Sequence, residues 1–154
     1  MQISFRLATR DDVPVLVAML ADDALGAQRE QFTEPLPQAY YDAFNALDRD
    51  PNNELILACL DNQVIGMLQL TYIPSLSYQG GWRALIESVR VDAAYRSQGI
   101  GRQLMLWTLE RAKARGCHLA QLSTHQSRVD AHRFYERLGF VSSHVGMKLS
   151  ISSG

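Results

Sequence analysis

The sequence predicts one domain of the mixed α/β or α+β class, built around a single sheet. Three observations carry this. The chain has 154 residues, 47% of them hydrophobic and 20% charged, which suits one globular domain with one real core. Two neighbouring stretches, 54–60 (ELILACL) and 63–72 (QVIGMLQLTY), flank the turn pair Asp61-Asn62 and read as a hairpin. Beyond it, strand and helix patterns alternate as βαβαβ, the order of a sheet with crossover helices.

Each element has a local reason. Residues 3–8 alternate enough for a strand. Thr9 with Asp12 three positions on makes a capping box, and Val13, Leu16, Val17 and Leu20 follow helical spacing to about Asp23. Residues 26–37 are polar and broken by Pro35 and Pro37, so they read as a loop. A second helix covers 38–47 and stops before Pro51. After the hairpin, 73–81 reads as a loop near the sheet edge, and 82–91 (WRALIESVRV) as a strong strand. A glycine-rich turn leads into a helix over 100–114, ended by Gly116. A strand is expected over 117–124. Ser127 and Asp130 are expected to cap a helix whose Ala131, Phe134, Tyr135 and Leu138 share one face, with Gly139 ending it. A last strand is expected over 140–151. No repeat, linker or low-complexity tract interrupts the chain, and residues 1–154 read as one domain.

Composition excludes several classes. Cys59 and Cys117 form no CxxC pair, so a disulfide scaffold is excluded and a reducing, cytoplasmic setting is expected. The N-terminus lacks a basic segment followed by an apolar run, and no apolar stretch reaches the roughly 18 residues of a membrane span. His118, His125, His132 and His144 have no metal-ligand spacing, so no metal is expected. The net charge of −1 hides an asymmetry: residues 1–80 hold 4 basic and 11 acidic side chains, residues 81–154 hold 11 basic and 5 acidic. A basic half suits an anionic ligand. With no recognisable nucleic-acid module and a negative net charge, nucleic acid is not the expected partner.

The segment that carries chemistry is 89–102, VRVDAAYRSQGIGR. A strand feeds a turn that opens a helix. The first backbone N–H groups of a helix lack intrahelical acceptors, and the helix dipole adds positive potential there. Gly99 and Gly101 let an anion approach the backbone, and Arg96 and Arg102 add full charges. The segment is therefore either a diphosphate-sized cradle or a bare glycine-rich turn. It is not a P-loop, which needs GxxxxGK[ST], nor a dinucleotide fingerprint, since Leu104 stands where GxGxxG needs its third glycine.

Arg96-x-x-Gly99-x-Gly101 resembles the acetyl-CoA signature of the GNAT N-acetyltransferase family. Residues 85–91 (LIESVRV) look like that family's fourth strand. Residues 130–140 (DAHRFYERLGF) are similar to another of its blocks, and 143–149 (SHVGMKL) to its tail. The resemblance is close over 83–151. It implies a mostly antiparallel mixed sheet of six to seven strands with about four helices, strands four and five splayed. It implies acetyl-CoA as co-substrate, with its pantetheine arm in the splay beside Val89, Arg90 and Val91. A backbone amide at Val89 or a neighbour would hold the thioester oxygen. The pyrophosphate would lie on Ser97, Gln98, Gly99, Ile100 and Gly101, near Arg96, Arg102 and Gln103. His125, Arg128, His132 and Tyr135 would line the rest of the carrier. His125 stands where many members have Asn, and either the carrier or the acceptor is open as its contact.

An attacking amine must lose a proton, and a free alkylamine has a pKa of roughly 10.4. The resemblance gives the base role to Glu87, directly or through water, and the role of proton donor to the leaving thiolate to Tyr135. Plain alternation would put Glu87, Val89 and Val91 on one face of the strand. Each residue also has a structural alternative: Glu87 as an outward strand residue or ion-pair member, Tyr135 as part of an apolar stripe. Acceptor selection is expected from the N-terminal half and the 73–81 loop, with Asp22, Asp23, Glu30, Glu34, Tyr40, Tyr41, Tyr72 and Tyr78 suiting a cationic amine. The function expected is acetyl transfer to a small-molecule primary amine. A protein lysine or N-terminus as acceptor, and a non-catalytic acyl-CoA sensor, are the alternatives. Open sheet edges leave room for a homodimer.

Overall fold

A computed structural model describes residues 2–152. The chain divides between Gln121 and Leu122 into two compact units. The first unit holds β1 (Ile3–Leu7), α1 (Val13–Ala21), α2 (Ala24–Arg29), α3 (Gln38–Arg49), β2 (Asn53–Leu60), β3 (Gln63–Pro74), β4 (Trp82–Val91), α4 (Ile100–Ala114) and β5 (Cys117–Gln121). The second holds α5 (Val129–Arg137).

The five strands lie in sequence order, β1-β2-β3-β4-β5. All neighbours are antiparallel except β4 and β5, which run parallel because α4 crosses between them. The mixed, mostly antiparallel sheet is the one expected. The strand number is not: five among the described residues, where six to seven were expected. The missing strand is 140–151, which adopts no strand or helix.

Register sorts the sheet's side chains into two layers. Leu57, Cys59 and Met67 pack with Leu16 and Met19 of α1, while Val13, Val17 and Phe44 form a second cluster under α1 and α3. On the opposite face, Phe5 stacks on Trp107 of α4 at 5.3 Å. Gly66 lies so close to α4 that an added Cβ would sit 3.6 Å from Ile100. Ile56, Ala58, Leu68, Leu70, Ala84 and Ile86 are buried on that α4 face by strand alternation.

Two polar contacts tie elements together. The Thr9 N–H donates to Asp12 at 2.7 Å, and Arg6 of β1 reaches the same carboxylate. Hydrogen bonds from Arg6 hold the Asp12 carboxyl below its usual pKa. On the α4 face, Glu54 accepts from Tyr72 Oη at 2.6 Å and from Arg111 Nε at 2.8 Å. Burial alone would raise the Glu54 pKa, but the Arg111 and Tyr72 bonds outweigh it and the net direction is down. Burial, then Glu54, push the Tyr72 phenol up to about 12. A carboxylate depressed on folding stabilises the fold above its unfolded pKa, and this is lost as pH falls through the folded value. Glu54→Ala strands a buried phenol and a guanidinium, and should cost about 2–3 kcal/mol near neutrality by urea unfolding. The difference from the parent should shrink as the pH drops below the ordinary carboxylate value of about 4.

Local readings mostly hold, with three corrections besides the strand count. Residues 24–29 are a helix, not loop. Asp23 caps it by accepting from Gly26 N–H, and Gly26 is needed because a Cβ there would lie 1.9 Å from the Leu20 carbonyl oxygen. The 73–81 loop is mostly ordered: β3 extends to Pro74, and a four-residue turn holds Tyr78 and Gln79 at φ of 53° and 59°. Ser127 does not cap α5. Its hydroxyl and N–H are engaged by His125 Nδ1 at 2.8 and 3.1 Å, and Arg128 takes the cap position.

Candidate active site

The C-terminal half of β4, the turn after it and the start of α4 form one continuous stretch of chain. β5 pairs with β4 only from Trp82 to Leu85. Beyond that point, 86–91 of β4 has no β5 neighbour, which is the splay expected between strands four and five.

A bulge sits inside this unpaired half. Met67 pairs with Arg90 and Gln69 with Glu87, so Leu68 alone faces both Ser88 and Val89. Ser88 adopts φ 57°, the left-handed backbone that such a bulge uses. The extra residue breaks the alternation: Val91 pairs with Gly66 on the α4 face, while Glu87 and Arg90 share the α1 face with Gln69 and Met67. The expectation that Glu87 and Val91 share a face is therefore wrong. Glu87 is exposed, and Arg90 is half-buried with its Nη1 donating to the Val89 carbonyl at 3.0 Å.

The turn is built to converge amides. Asp92 accepts from Ala94 N–H at 2.9 Å and starts one turn of 3-10 helix, Ala93–Tyr95. Ser97 and Gly99 are left-handed, φ 64° and 80°. That backbone curls successive N–H groups toward one concavity. Between Ser97 and Arg102 no backbone N–H has an acceptor among the described residues; the first helical bond runs from Gln103 N–H to Gly99 O at 3.1 Å. A Cβ added at Gly99 meets nothing within 4 Å. This is an electropositive, open, unfilled cradle at the N-terminus of a 15-residue helix.

Arg96 closes one side. Its Nε donates to the Val91 carbonyl at 3.2 Å, and its Nη2 lies 3.6 Å from Asp22 at the end of α1. The carbonyls of Val89 and Val91 thus each already accept one arginine bond and keep a second lone pair. Arg102 and Gln103 are exposed on the first turn of α4, and Ile100 is buried beneath them. Asp22 and Asp92 also edge a cleft of about 400 Å³, floored by Ala18, Met19 and Phe32. Sequence reasoning missed Phe32 and Asp92 as wall residues. The V-D-A-A string around Asp92 is a turn-capping signal, but nothing in the sequence folds Phe32 back onto α1.

Two aromatic candidates for acceptor selection are misplaced. Tyr72 is 2% exposed and lies on the α4 face, opposite Glu87. Tyr78 packs against His118 beside Trp82, five residues or roughly 16 Å along β4 from Glu87. Tyr40 is tied to Glu30 at 3.0 Å, and Arg10 lies over the Tyr41 ring at 4.4 Å.

The second unit carries the other predicted residues. Ser127 N–H donates to His125 Nδ1, which leaves Nε2 to carry the proton of the neutral ring. His132 Nε2 lies 3.4 Å from the His125 carbonyl oxygen, and Arg128 N–H donates to that oxygen at 2.9 Å. Tyr135 meets Phe134 and Phe140 edge-on, at 5.2 and 5.9 Å.

A family model described as "Acetyltransferase (GNAT) family" matches residues 21–140. The chain belongs to the GNAT acetyltransferase family. This GNAT chain is 39% identical, over 70% of its length and 69% of the relative's, to an aminoalkylphosphonate N-acetyltransferase of Salmonella typhimurium. It is 29% identical over 58% of each chain to a glucosamine 6-phosphate N-acetyltransferase of Trypanosoma brucei brucei. A crystal structure described as a transcriptional regulator from Bacillus halodurans C-125 has a TM-score of 0.95 and 53% identity, covering 97% of this chain and 100% of that one. The protein is an acetyltransferase with the mixed α/β sheet of its family. No helix among the described residues is long and apolar enough to cross a membrane.

Proposed function

We propose that this acetyltransferase moves an acetyl group from acetyl-CoA to the primary amine of a small molecule, by direct attack on the thioester. The C–N bond forms as the C–S bond breaks. Glu87 takes the ammonium proton, directly or through water, and Tyr135 supplies a proton to the departing thiolate. The amides of Ser97, Gln98, Gly99, Ile100 and Gly101, with Arg96, Arg102 and Gln103, hold the pyrophosphate. Val89 and Val91 offer backbone groups to the pantetheine arm, and His125, Arg128 and His132 complete the carrier's surroundings. The observation that carries this reading is the unfilled amide cradle joined, through one splayed and bulged strand, to an exposed carboxylate. The unpaired Cys59 and Cys117 suit a reducing cytoplasm.

Candidate acceptors are amino acids, polyamines and aminoalkyl compounds. Both named relatives act on amines that also bear a phosphonate or phosphate. Arg90, expected from the sequence beside the carrier arm, shares the Glu87 face and offers a guanidinium to such a group. The test is an amine panel read by free-thiol release. Aminoalkylphosphonates should show kcat/KM roughly 10–100-fold above the matching alkylamines, the range for a hydrogen bond to a charged group. Arg90→Ala should erase that ratio. Equal rates for both classes would defeat the acceptor assignment.

One observation favours a second reading, an acyl-CoA sensor without turnover: the 53% identical chain is described as a transcriptional regulator. Acetyl-CoA binding with no thiol release from any amine, peptide or polyamine would select it.

A further inference from the structure

We propose that Asp22 competes with the carrier's diphosphate for Arg96 and so speeds release of the spent carrier. The inference rests on the reading of the turn 92–102 as the diphosphate site.

Asp22 is out of place electrostatically. It follows α1 directly, at the end where the helix dipole is negative, and the last turn of α1 holds no basic residue. It also edges the cleft together with a second carboxylate, Asp92. Asp92 has a local reason, since it accepts from Ala94 N–H and starts the 3-10 turn. Asp22 has none of that kind: the next residue, Asp23, is the one that caps α2. The cation paired with Asp22 among the described residues is Arg96. A carboxylate set at a helix C-terminus and beside an anion cradle goes against both local charge patterns. Such departures belong to functional positions more than to structural ones.

The pair is built to exchange. Arg96 Nη2 and Asp22 Oδ2 are 3.6 Å apart, longer than the roughly 2.7–2.9 Å of a charge-assisted hydrogen bond. The two side chains are 52% and 60% exposed, so solvent screens the attraction. Arg96 Nε is held separately, by the Val91 carbonyl at 3.2 Å. The guanidinium therefore stays tied to the end of β4 while Nη2 changes partner. Arg96 also directly precedes the stretch whose amides have no acceptor among the described residues. A diphosphate on those amides offers Nη2 more negative charge than one carboxylate does. Asp22 then faces that anion without its cation. The lost pair and the new repulsion both lower carrier affinity, and both are recovered when the carrier leaves. Asp22 is a positioning residue that acts through Arg96, in the direction that favours product release.

Dissociation of CoA from the full chain, followed by stopped-flow displacement with Kd from titration, tests this. At low ionic strength Asp22→Asn should lower both koff and Kd roughly twofold to fivefold, the range of an exposed ion pair. Asp22→Glu should restore the parental koff. Near 1 M salt, where charges are screened beyond about 3 Å, parent and Asp22→Asn should converge. In an Arg96→Gln background the effect of Asp22→Asn should shrink, because the exchange has lost its cation. Pantetheine, which lacks the diphosphate, should bind parent and Asp22→Asn alike. An Asp22→Asn protein that releases CoA as fast as the parent, or faster, overturns the proposal. So does an effect of equal size with Arg96 replaced, with pantetheine, or in high salt. A parent that binds no CoA, or whose binding survives Gly101→Trp, defeats the carrier-site reading itself and this inference with it. CoA binding that Gly101→Trp abolishes but Asp22→Asn leaves unchanged defeats this inference alone.

Discussion

Glu87→Gln should lower kcat near neutral pH by roughly 10²–10⁴, the usual worth of a positioned general base. The substitution keeps the shape of an exposed side chain and leaves the fold and the cradle alone. Its second consequence separates a base from a structural carboxylate. Without the base, only amine that has already lost its proton can attack. The variant's rate should therefore climb about tenfold per pH unit toward the amine's own pKa of roughly 10.4. The parent should show a flatter rise. Steady-state rates for both proteins across that range are the measurement. A variant with parental kcat and a parental pH profile would remove Glu87 from the mechanism and leave it as a strand-surface residue.

Gly101→Trp should abolish binding of acetyl-CoA. Gly101 is the second residue of α4, on the turn whose amides have no acceptor in the protein. An indole there occupies the space that an anion needs. For the parent, a ligand at 100 times its Kd adds about 2.7 kcal/mol of stability. For a chain of this size that raises Tm by roughly 5–10 °C. The variant should show no shift in the same titration. Its own Tm without ligand should stay near that of the parent, because the position is half-exposed and a helix start tolerates a side chain. An unchanged ligand shift in Gly101→Trp would mean that the carrier binds elsewhere and that the turn 92–102 has been misread.

The first expectation rests on β4, and that strand shows where sequence reading stops. The boundaries Trp82–Val91 and Ile100–Ala114 were legible to the residue, because alternation, the glycine-rich turn and the following helical spacing all agree. The cradle was legible for the same reason: a helix N-terminus with Gly99 before it and Gly101 in its first turn is local chemistry. The bulge at Ser88 was not. It arises from pairing β4 against β3, and one extra residue moved Val91 to the face opposite Glu87. That shift put Arg90 beside Glu87 and changed its expected role. Tyr72 failed likewise: its acidic and aromatic neighbourhood in sequence suggested acceptor contact, whereas register buries it against Glu54 under α4.

Local sequence sufficed for the strands β1 to β5, the helices α1, α3, α4 and α5, the glycine-rich turn that opens α4, and the family. All of these depend on groups within a few positions of each other or on motif spacing. Only the tertiary structure decided which face each β4 side chain occupies, that Phe32 and Asp92 edge one cleft, and that 140–151 forms no strand. Those are outcomes of strand pairing between distant segments. A single added or unpaired residue there redirects every side chain beyond it, and no local pattern records that choice.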